Sequence, residues 1–213
     1  MEKKIIAFDI DRTLVDSFAA EIQALKDALN IVLRKEINED VLAESAHLPT
    51  KDFYKKINLT EDEIKKVDAE WSEASTKYQI VFFPGIVEAI KKLYKEGYCL
   101  NIITSRTKEE LQELDHLLDE VKGIFEVIVT SDLVKKPKPS KDSLDYLCKK
   151  TKCTSKDIIY IGDSKSDEKF AQNSGCYFIP ITWENKELID SSNTCNTIDE
   201  MLDTIYKISK QSF

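Results

Sequence analysis

The sequence IIAFDIDRT, residues 5–13, determines how the rest of the chain is interpreted. Its apolar run, residues 5–8, is typical of a strand that is covered on both faces of a sheet. Asp9 and Asp11 follow this run and share one side of an extended backbone. Open α/β sheets bind ligands where their parallel strands end, so the stretch predicts a polar site. A lone Asp-x-Asp is equally typical of a solvated acidic turn, and the remaining sequence must separate the two interpretations.

Strand and helix patterns alternate through the second part of the chain. Further apolar strands are predicted at residues 98–103, 125–130, 158–161 and 176–181, with amphipathic helices between them. This alternation predicts an α/β fold, a doubly wound, Rossmann-like parallel sheet of about five strands with helices on both faces.

Residues 15–81 carry helical signals only. Phe18, Ile22, Leu25 and Leu29 recur at the spacing of one helix face, and Thr60-x-x-Glu63 is the signature of a capping box. We therefore predict an all-helical insertion at residues 15–81, between the two parts of an α/β core formed by residues 1–14 and 82–213.

The composition limits the classes of partner. A net charge of −8 opposes binding to nucleic acid or to anionic membranes. The five cysteines are an odd number without metal-ligand spacing, which favours reduced thiols. The chain has no apolar run long enough for a signal peptide or a membrane span. We expect a cytoplasmic protein that acts on small molecules, and the sequence carries no signal for an oligomeric state.

Polar side chains follow four of the predicted strands at the points where the strands end. The carboxyl ends of parallel strands meet at one edge of a sheet, so these groups are expected around a single crevice. They are Asp9, Asp11, Thr104, Ser105, Lys136, Asp163 and Asp167. Their coincidence favours a catalytic site over an acidic turn.

The same groups stand in motifs that resemble those of the haloacid dehalogenase superfamily. The motifs are Asp-x-Asp-x-Thr at residues 9–13, Thr-Ser after a hydrophobic strand, Lys-Pro-x-Pro at 136–139, and Gly-Asp-Ser at 162–164 followed by Asp167. The resemblance spans residues 5–183. The helical insertion and Phe83-Pro84-Gly85 are similar to the branch with a helical cap, which includes phosphoglycolate phosphatases.

The resemblance implies a Mg²⁺-dependent phosphatase that hydrolyses small phosphorylated metabolites, either phosphoglycolate-like compounds or sugar phosphates. Asp9 would be the nucleophile that forms an aspartyl-phosphate, and Asp11 the general acid and base. The dehalogenases of the superfamily lack the second aspartate, which this chain keeps as Asp11. The insertion would be a lid that excludes water and contacts the leaving group.

The resemblance also implies how the remaining groups bind metal and phosphate. Mg²⁺ would be held by Asp9, Asp163 and the backbone carbonyl of Asp11. The phosphate would be bound by Thr104, Ser105, Lys136 and the backbone N–H of Arg12, with Asp167 orienting the lysine or a metal-bound water. Lys136 is preferred over Lys135 and Lys138 because it directly precedes Pro137. The family usually has Gly at the position of Arg12.

Three alternatives stay open on the residues alone. A phosphomutase of the same superfamily shares the aspartyl-phosphate, and a catalytically inactive descendant would be a binding scaffold. A signalling receiver domain also uses an acceptor Asp, but its acceptor ends a middle strand and its chain is shorter. His47 is a candidate substrate contact in the insertion, although a surface loop histidine explains it about as well.

Overall fold

The computed structural model describes residues 4–43, 45, 50–183 and 194–211. The chain divides into two compact units. Met1–Val15 and Val81–Phe213 form the first, which we call the α/β unit, and Asp16–Ile80 form the second, which we call the helical unit.

The α/β unit is built on a parallel sheet. The strands of the chain are β1 (Ile5–Phe8), β2 (Val15–Asp16), β3 (Val81–Phe82), β4 (Cys99–Ile103), β5 (Phe125–Val129), β6 (Ile158–Gly162) and β7 (Tyr177–Pro180). Five of them form one sheet in the order β5-β4-β1-β6-β7, with every pairing parallel. All residues of β1, β4 and β6 are buried, as expected for strands covered on both faces. The predicted fold class is confirmed.

The described part of the chain contains ten α-helices. They are α1 (Phe18–Leu33), α2 (Glu39–Ala43), α3 (Thr50–Lys56), α4 (Glu61–Ser75), α5 (Ile86–Lys95), α6 (Lys108–Gln112), α7 (Asp115–Leu118), α8 (Asp142–Thr151), α9 (Lys165–Ser174) and α10 (Ile198–Gln211). None of the described helices combines the length and the apolar character that crossing a membrane requires. The five cysteines are free thiols.

The helical unit has a hydrophobic core of its own. Leu29, Phe53, Tyr54 and Val67 are buried there together, so that α1, α3 and α4 share one core. Thr60 caps α4 by the predicted capping box. The prediction of helices throughout this segment is wrong at its start, because β2 pairs with β3 in a two-stranded sheet.

Candidate active site

The central strand carries the first pair of carboxylates. β1 lies between β4 and β6, where the strand order reverses, and Asp9 follows it directly. The Asp9 N–H donates to the carbonyl of Ile161 at 2.9 Å, which extends the sheet by one more hydrogen bond. A tight turn then begins, in which the carbonyl of Ile10 accepts the N–H groups of residues 13–15. Asp9 is therefore fixed at the switch point, where doubly wound sheets bind ligands.

Thr104 ends the neighbouring strand β4. Its N–H donates to the carbonyl of Val129 at 3.0 Å, and its hydroxyl oxygen accepts the N–H of Arg106 at 3.1 Å. A hydroxyl that accepts in this way keeps its own O–H as a donor. Thr104 is buried, whereas Ser105, the other predicted phosphate ligand of this loop, is exposed. Burial and these two hydrogen bonds thus hold Thr104 in place, whereas Ser105 lies at the surface.

The end of β6 and the first turn of α9 contribute two buried carboxylates, Asp163 and Asp167. Asp163 follows the strand, and Ser164 caps α9 through a capping box with Asp167. A Cβ atom at Gly162 would lie 2.7 Å from the Cβ atom of Asp167, closer than real Cβ atoms approach. Glycine is therefore the residue that lets Asp167 pack against the end of β6.

The lysine at the site is Lys138, and the prediction of Lys136 is wrong in this respect. Lys138 Nζ lies 2.6 Å from Asp9 Oδ1 and 2.8 Å from Asp167 Oδ1. Its side chain is only 3% exposed, whereas Lys136 is exposed. Lys136 precedes Pro137, but Lys138 precedes Pro139 in the same way, so the neighbouring proline could not separate them.

Asp167 has both carboxylate oxygens engaged. Oδ1 accepts from Lys138 and from the hydroxyl of Tyr160 at 2.7 Å, and Oδ2 accepts the N–H of Ser164 at 3.1 Å. Burial alone would raise the pKa of Asp167, but the charge of Lys138 and these hydrogen bonds outweigh burial and lower it. Asp9 and Asp167 together hold the pKa of Lys138 above its usual value despite burial. This arrangement fits the predicted role of Asp167 in orienting the lysine.

The cluster of buried carboxylates at this site fits a divalent cation. Oxygen atoms of Asp9, Asp163 and Asp167 lie within 4.8 Å of one another. Burial raises the pKa of Asp9 despite Lys138, and it raises the pKa of Asp163 to about 7 despite the nearby Arg12. Buried carboxylates that ionise reluctantly are stabilised by a cation, and hard oxygen donors suit Mg²⁺. Both oxygens of Asp167 accept hydrogen bonds from the protein, whereas Lys138 bonds to Oδ1 of Asp9, so Asp9 and Asp163 are the better placed of the three to hold the ion.

Arg12 differs in two ways from its predicted role. Its N–H donates to the carbonyl of Val15 at 2.8 Å, so the backbone donor predicted for phosphate is already used within the turn. Its side chain instead approaches the metal ligands, with Nε 3.2 Å from Asp163 Oδ2. Its φ of 58° lies in the left-handed region, which glycine adopts more readily than a residue with a side chain.

Sequence reasoning missed two groups of the site. Tyr160 lies inside the apolar strand β6, where its hydroxyl donates to Asp167. Arg106 donates two hydrogen bonds to the carboxylate of Asp11, and its position two residues after Thr104 was the only available signal. His47 lies outside the described residues.

Comparisons with known proteins agree with this geometry. A family model described as haloacid dehalogenase-like hydrolase matches residues 6–181. The chain is 25% identical over 197 residues to a phosphoglycolate phosphatase from Aliivibrio fischeri, with 84% of each chain covered. It is 22% identical over 217 residues to the pyrophosphatase PpaX of Bacillus mycoides, with 99% of each covered.

A solved structure adds evidence for the fold alone. A Thermotoga maritima protein assigned as a beta-phosphoglucomutase superposes with a TM-score of 0.75 at 20% identity. The match covers 96% of this chain and 99% of the other.

The family model spans most of the chain, including the four strand ends that carry the polar groups. It confirms the resemblance drawn from the motifs, and the names of the two curated relatives agree with the predicted class, a phosphoric monoester hydrolase. This chain therefore belongs to the haloacid dehalogenase-like hydrolases.

Proposed function

We propose that the protein is a Mg²⁺-dependent phosphatase for small phosphorylated metabolites, with Asp9 as its nucleophile. The observation that carries this proposal is the position of Asp9 at the end of the central strand, 2.6 Å from a buried lysine and within reach of Asp163. A nucleophilic carboxylate, a fixed positive charge and a metal-ligand set thus meet at one point. The two curated relatives, named for phosphoglycolate and pyrophosphate, support small phosphorylated substrates.

Phosphate monoesters hydrolyse very slowly without a catalyst, so a nucleophile, charge neutralisation and proton transfer are needed together. In the proposed first step, a carboxylate oxygen of Asp9 bonds to phosphorus while the bond to the leaving oxygen breaks. Asp11 gives its proton to that oxygen. In the second step, Asp11 takes a proton from a water molecule, which attacks the aspartyl-phosphate and releases inorganic phosphate.

The surrounding residues supply the charge and the hydrogen bonds. Asp9 and Asp163, with the backbone carbonyl of Asp11, would hold Mg²⁺, which neutralises charge between the carboxylate and the phosphate when bound. Lys138 takes the part first assigned to Lys136 and neutralises a further phosphate oxygen. The O–H of Thr104 donates to the transferring phosphoryl group.

The helical unit is proposed as the cap of this enzyme, by its resemblance to the helical-cap branch. Caps of this kind exclude water and choose among substrates.

A phosphomutase is the second candidate, because it would use the same aspartyl-phosphate, and a structure named as a beta-phosphoglucomutase has the same fold. The two differ in whether the phosphoryl group goes to water or to a second hydroxyl of a sugar phosphate. Incubation with glucose 1-phosphate separates them, because a phosphatase releases inorganic phosphate and a mutase forms an isomeric sugar phosphate.

The proposal is tested with p-nitrophenyl phosphate in Mg²⁺ and in EDTA, using wild type and Asp9→Asn. We expect turnover in Mg²⁺ alone, and we expect Asp9→Asn to lower kcat by at least about 10³-fold because the nucleophile is gone. Asp119→Asn is the matched control, since this exposed carboxylate pairs only with Lys122 among the contacts described. Wild type without metal-dependent turnover would contradict the proposal and favour a binding scaffold.

A further inference from the structure

Arg106 holds the carboxylate of Asp11 by two hydrogen bonds. Nε lies 2.8 Å from Oδ2 and Nη2 lies 2.7 Å from Oδ1, so the guanidinium and the carboxylate face each other as a fork. The side chain of Arg106 is 14% exposed and that of Asp11 is 29% exposed. The pair is therefore mostly sheltered, unlike a surface ion pair.

The backbone of Arg106 is fixed beside Thr104, which is proposed to bind the phosphoryl group. Its N–H donates to the hydroxyl oxygen of Thr104, and its carbonyl accepts the N–H of Ser131 at 2.9 Å. The remaining nitrogen, Nη1, lies 3.5 Å from the carbonyl of Glu110 and 3.8 Å from the exposed carboxylate of Glu113. The guanidinium can move by side-chain rotation while its anchor beside Thr104 stays in place.

The proposed chemistry requires Asp11 to serve two partners. It has to reach the leaving oxygen to give it a proton, while both of its oxygens accept from Arg106. A carboxylate oxygen can accept more than one hydrogen bond, so the fork does not prevent the reaction, but it holds Asp11 on Arg106. A guanidinium that gives up part of such a fork is stabilised by a second anion in the same place, and the Glu113 carboxylate at 3.8 Å is beyond hydrogen-bond distance.

We propose that this second anion belongs to the substrate, and that Arg106 is a specificity-determining residue for leaving groups with a carboxylate or a phosphate next to the leaving oxygen. The inference rests on the proposed phosphatase function. Asp11 must reach the leaving oxygen, so the Arg106 guanidinium that is bonded to Asp11 also lies close to that oxygen. Guanidinium matches carboxylate and phosphate equally well as a two-pronged donor. A substrate of this class replaces Asp11 on Arg106 and releases Asp11 for proton transfer.

The experiment compares substrates with and without a second anion in the leaving group. Phosphoglycolate tests a carboxylate and inorganic pyrophosphate tests a phosphate, and ethylene glycol monophosphate is the counterpart of phosphoglycolate whose leaving group carries no charge. kcat/KM is measured for wild type, Arg106→Gln and Arg106→Lys. Lys108→Gln is the matched control, because it removes one positive charge two residues along the chain at an exposed position.

We expect wild type to prefer a substrate with a second anion, phosphoglycolate or pyrophosphate, over ethylene glycol monophosphate. Arg106→Gln should lower kcat/KM for the preferred substrate about 10- to 100-fold and change that for ethylene glycol monophosphate less than about threefold. Arg106→Lys should lose less, since it keeps the charge without the fork. Lys108→Gln should keep the preference. The substrate whose kcat/KM falls in Arg106→Gln, phosphoglycolate or pyrophosphate, identifies the anion as carboxylate or phosphate.

Two results would overturn the inference and leave the phosphatase proposal intact. One is an equal loss in Arg106→Gln for the substrates with and without a second anion, which would make Arg106 a positioning residue for Asp11 alone. The other is hydrolysis of p-nitrophenyl phosphate by a wild type that shows no preference between the paired substrates. Wild type that hydrolyses none of these compounds would overturn both proposals.

Discussion

At the scale of single residues, the carboxylates of the site are paired with cations from the same chain. Four aspartates face three cations, in the pairs Asp9 and Asp167 with Lys138, Asp163 with Arg12, and Asp11 with Arg106. If all are ionised, four negative and three positive charges leave one negative charge. A bound divalent cation would turn this into one positive charge, which favours an anionic phosphate.

The two lysines of the Lys-Pro-Lys-Pro segment provide a matched pair of variants. We expect Lys138→Met to lower kcat with p-nitrophenyl phosphate by about 10²- to 10³-fold, because a preorganised positive charge at the phosphate is lost. Lys136→Met should stay within about twofold of wild type, since Lys136 is exposed. Circular dichroism checks that both variants fold. Full activity of Lys138→Met, or a larger loss in Lys136→Met, would contradict the structural assignment.

The residues that sequence analysis found and missed differ in one respect. Asp9, Asp163 and Thr104 directly follow apolar strands, so the strand pattern predicts where they lie. Lys138 and Arg106 reach the site through long side chains from loops, and their positions depend on the path of the backbone between elements. A sequence pattern does not specify that path, so it cannot separate Lys138 from Lys136 or identify Arg106 as a residue of the site.

At the scale of elements, strong local sequence signals were sufficient to predict the strands of the main sheet and the cap of α4. The capping box predicted at Thr60 is present, and Thr107 forms another one with Glu110 at the start of α6, because a cap depends on residues three positions apart. The five strands of the sheet lie where apolar runs predicted them. β2 and β3 were missed because each has two residues, too few to show an alternating pattern.

The cap of α4 is expected to contribute measurably to the helical unit. Thr60 accepts the N–H of Glu63, and the Glu63 carboxylate accepts from the Thr60 N–H at 2.8 Å. Thr60→Ala should lower the free energy of unfolding by about 1 kcal/mol. Ser72→Ala, at an exposed position in the middle of the same helix, is the control and should not destabilise. Urea denaturation followed by Trp71 fluorescence measures both.

The same cap has a defined pH dependence. Hydrogen bonds from the Thr60 backbone and hydroxyl lower the pKa of Glu63. A group whose pKa is lower in the folded protein stabilises the fold above its unfolded pKa, and this contribution disappears as the pH falls through the folded pKa. The difference between wild type and Thr60→Ala should therefore shrink on acidification below the ordinary pKa of glutamate. A difference that grows instead would contradict this account of the cap.

At the scale of the whole molecule, each of the two units has a hydrophobic core among the residues that the structure describes. One core includes Tyr160 and Phe170 of the α/β unit, and the other includes Phe53 of the helical unit. The two tryptophans report on different units, because Trp71 packs against the helical core and Trp183 donates to the carbonyl of Thr13 in the α/β unit. Single-tryptophan variants can therefore follow the two units one at a time.

Phe53→Ala should destabilise the helical unit selectively. The side chain is fully buried, and replacing a buried Phe by Ala costs about 3–5 kcal/mol. In a Trp183→Phe background, the transition seen by Trp71 should move to a lower urea concentration. In a Trp71→Phe background, the Trp183 transition should move much less with Phe53→Ala and strongly with Phe170→Ala. Coincident transitions that shift together in all variants would show that the chain unfolds as one cooperative body.

Arg12 has a consequence for the protein in a medium that is poor in divalent ions. A residue in left-handed backbone is unfavourable by about 1–2 kcal/mol, yet this one brings a permanent counter-charge to the buried Asp163. The guanidinium thus offsets part of the charge of that carboxylate before any ion is bound. In the proposed magnesium site an incoming ion competes with this guanidinium for Asp163, so weaker metal capture is the expected cost of a built-in counter-charge.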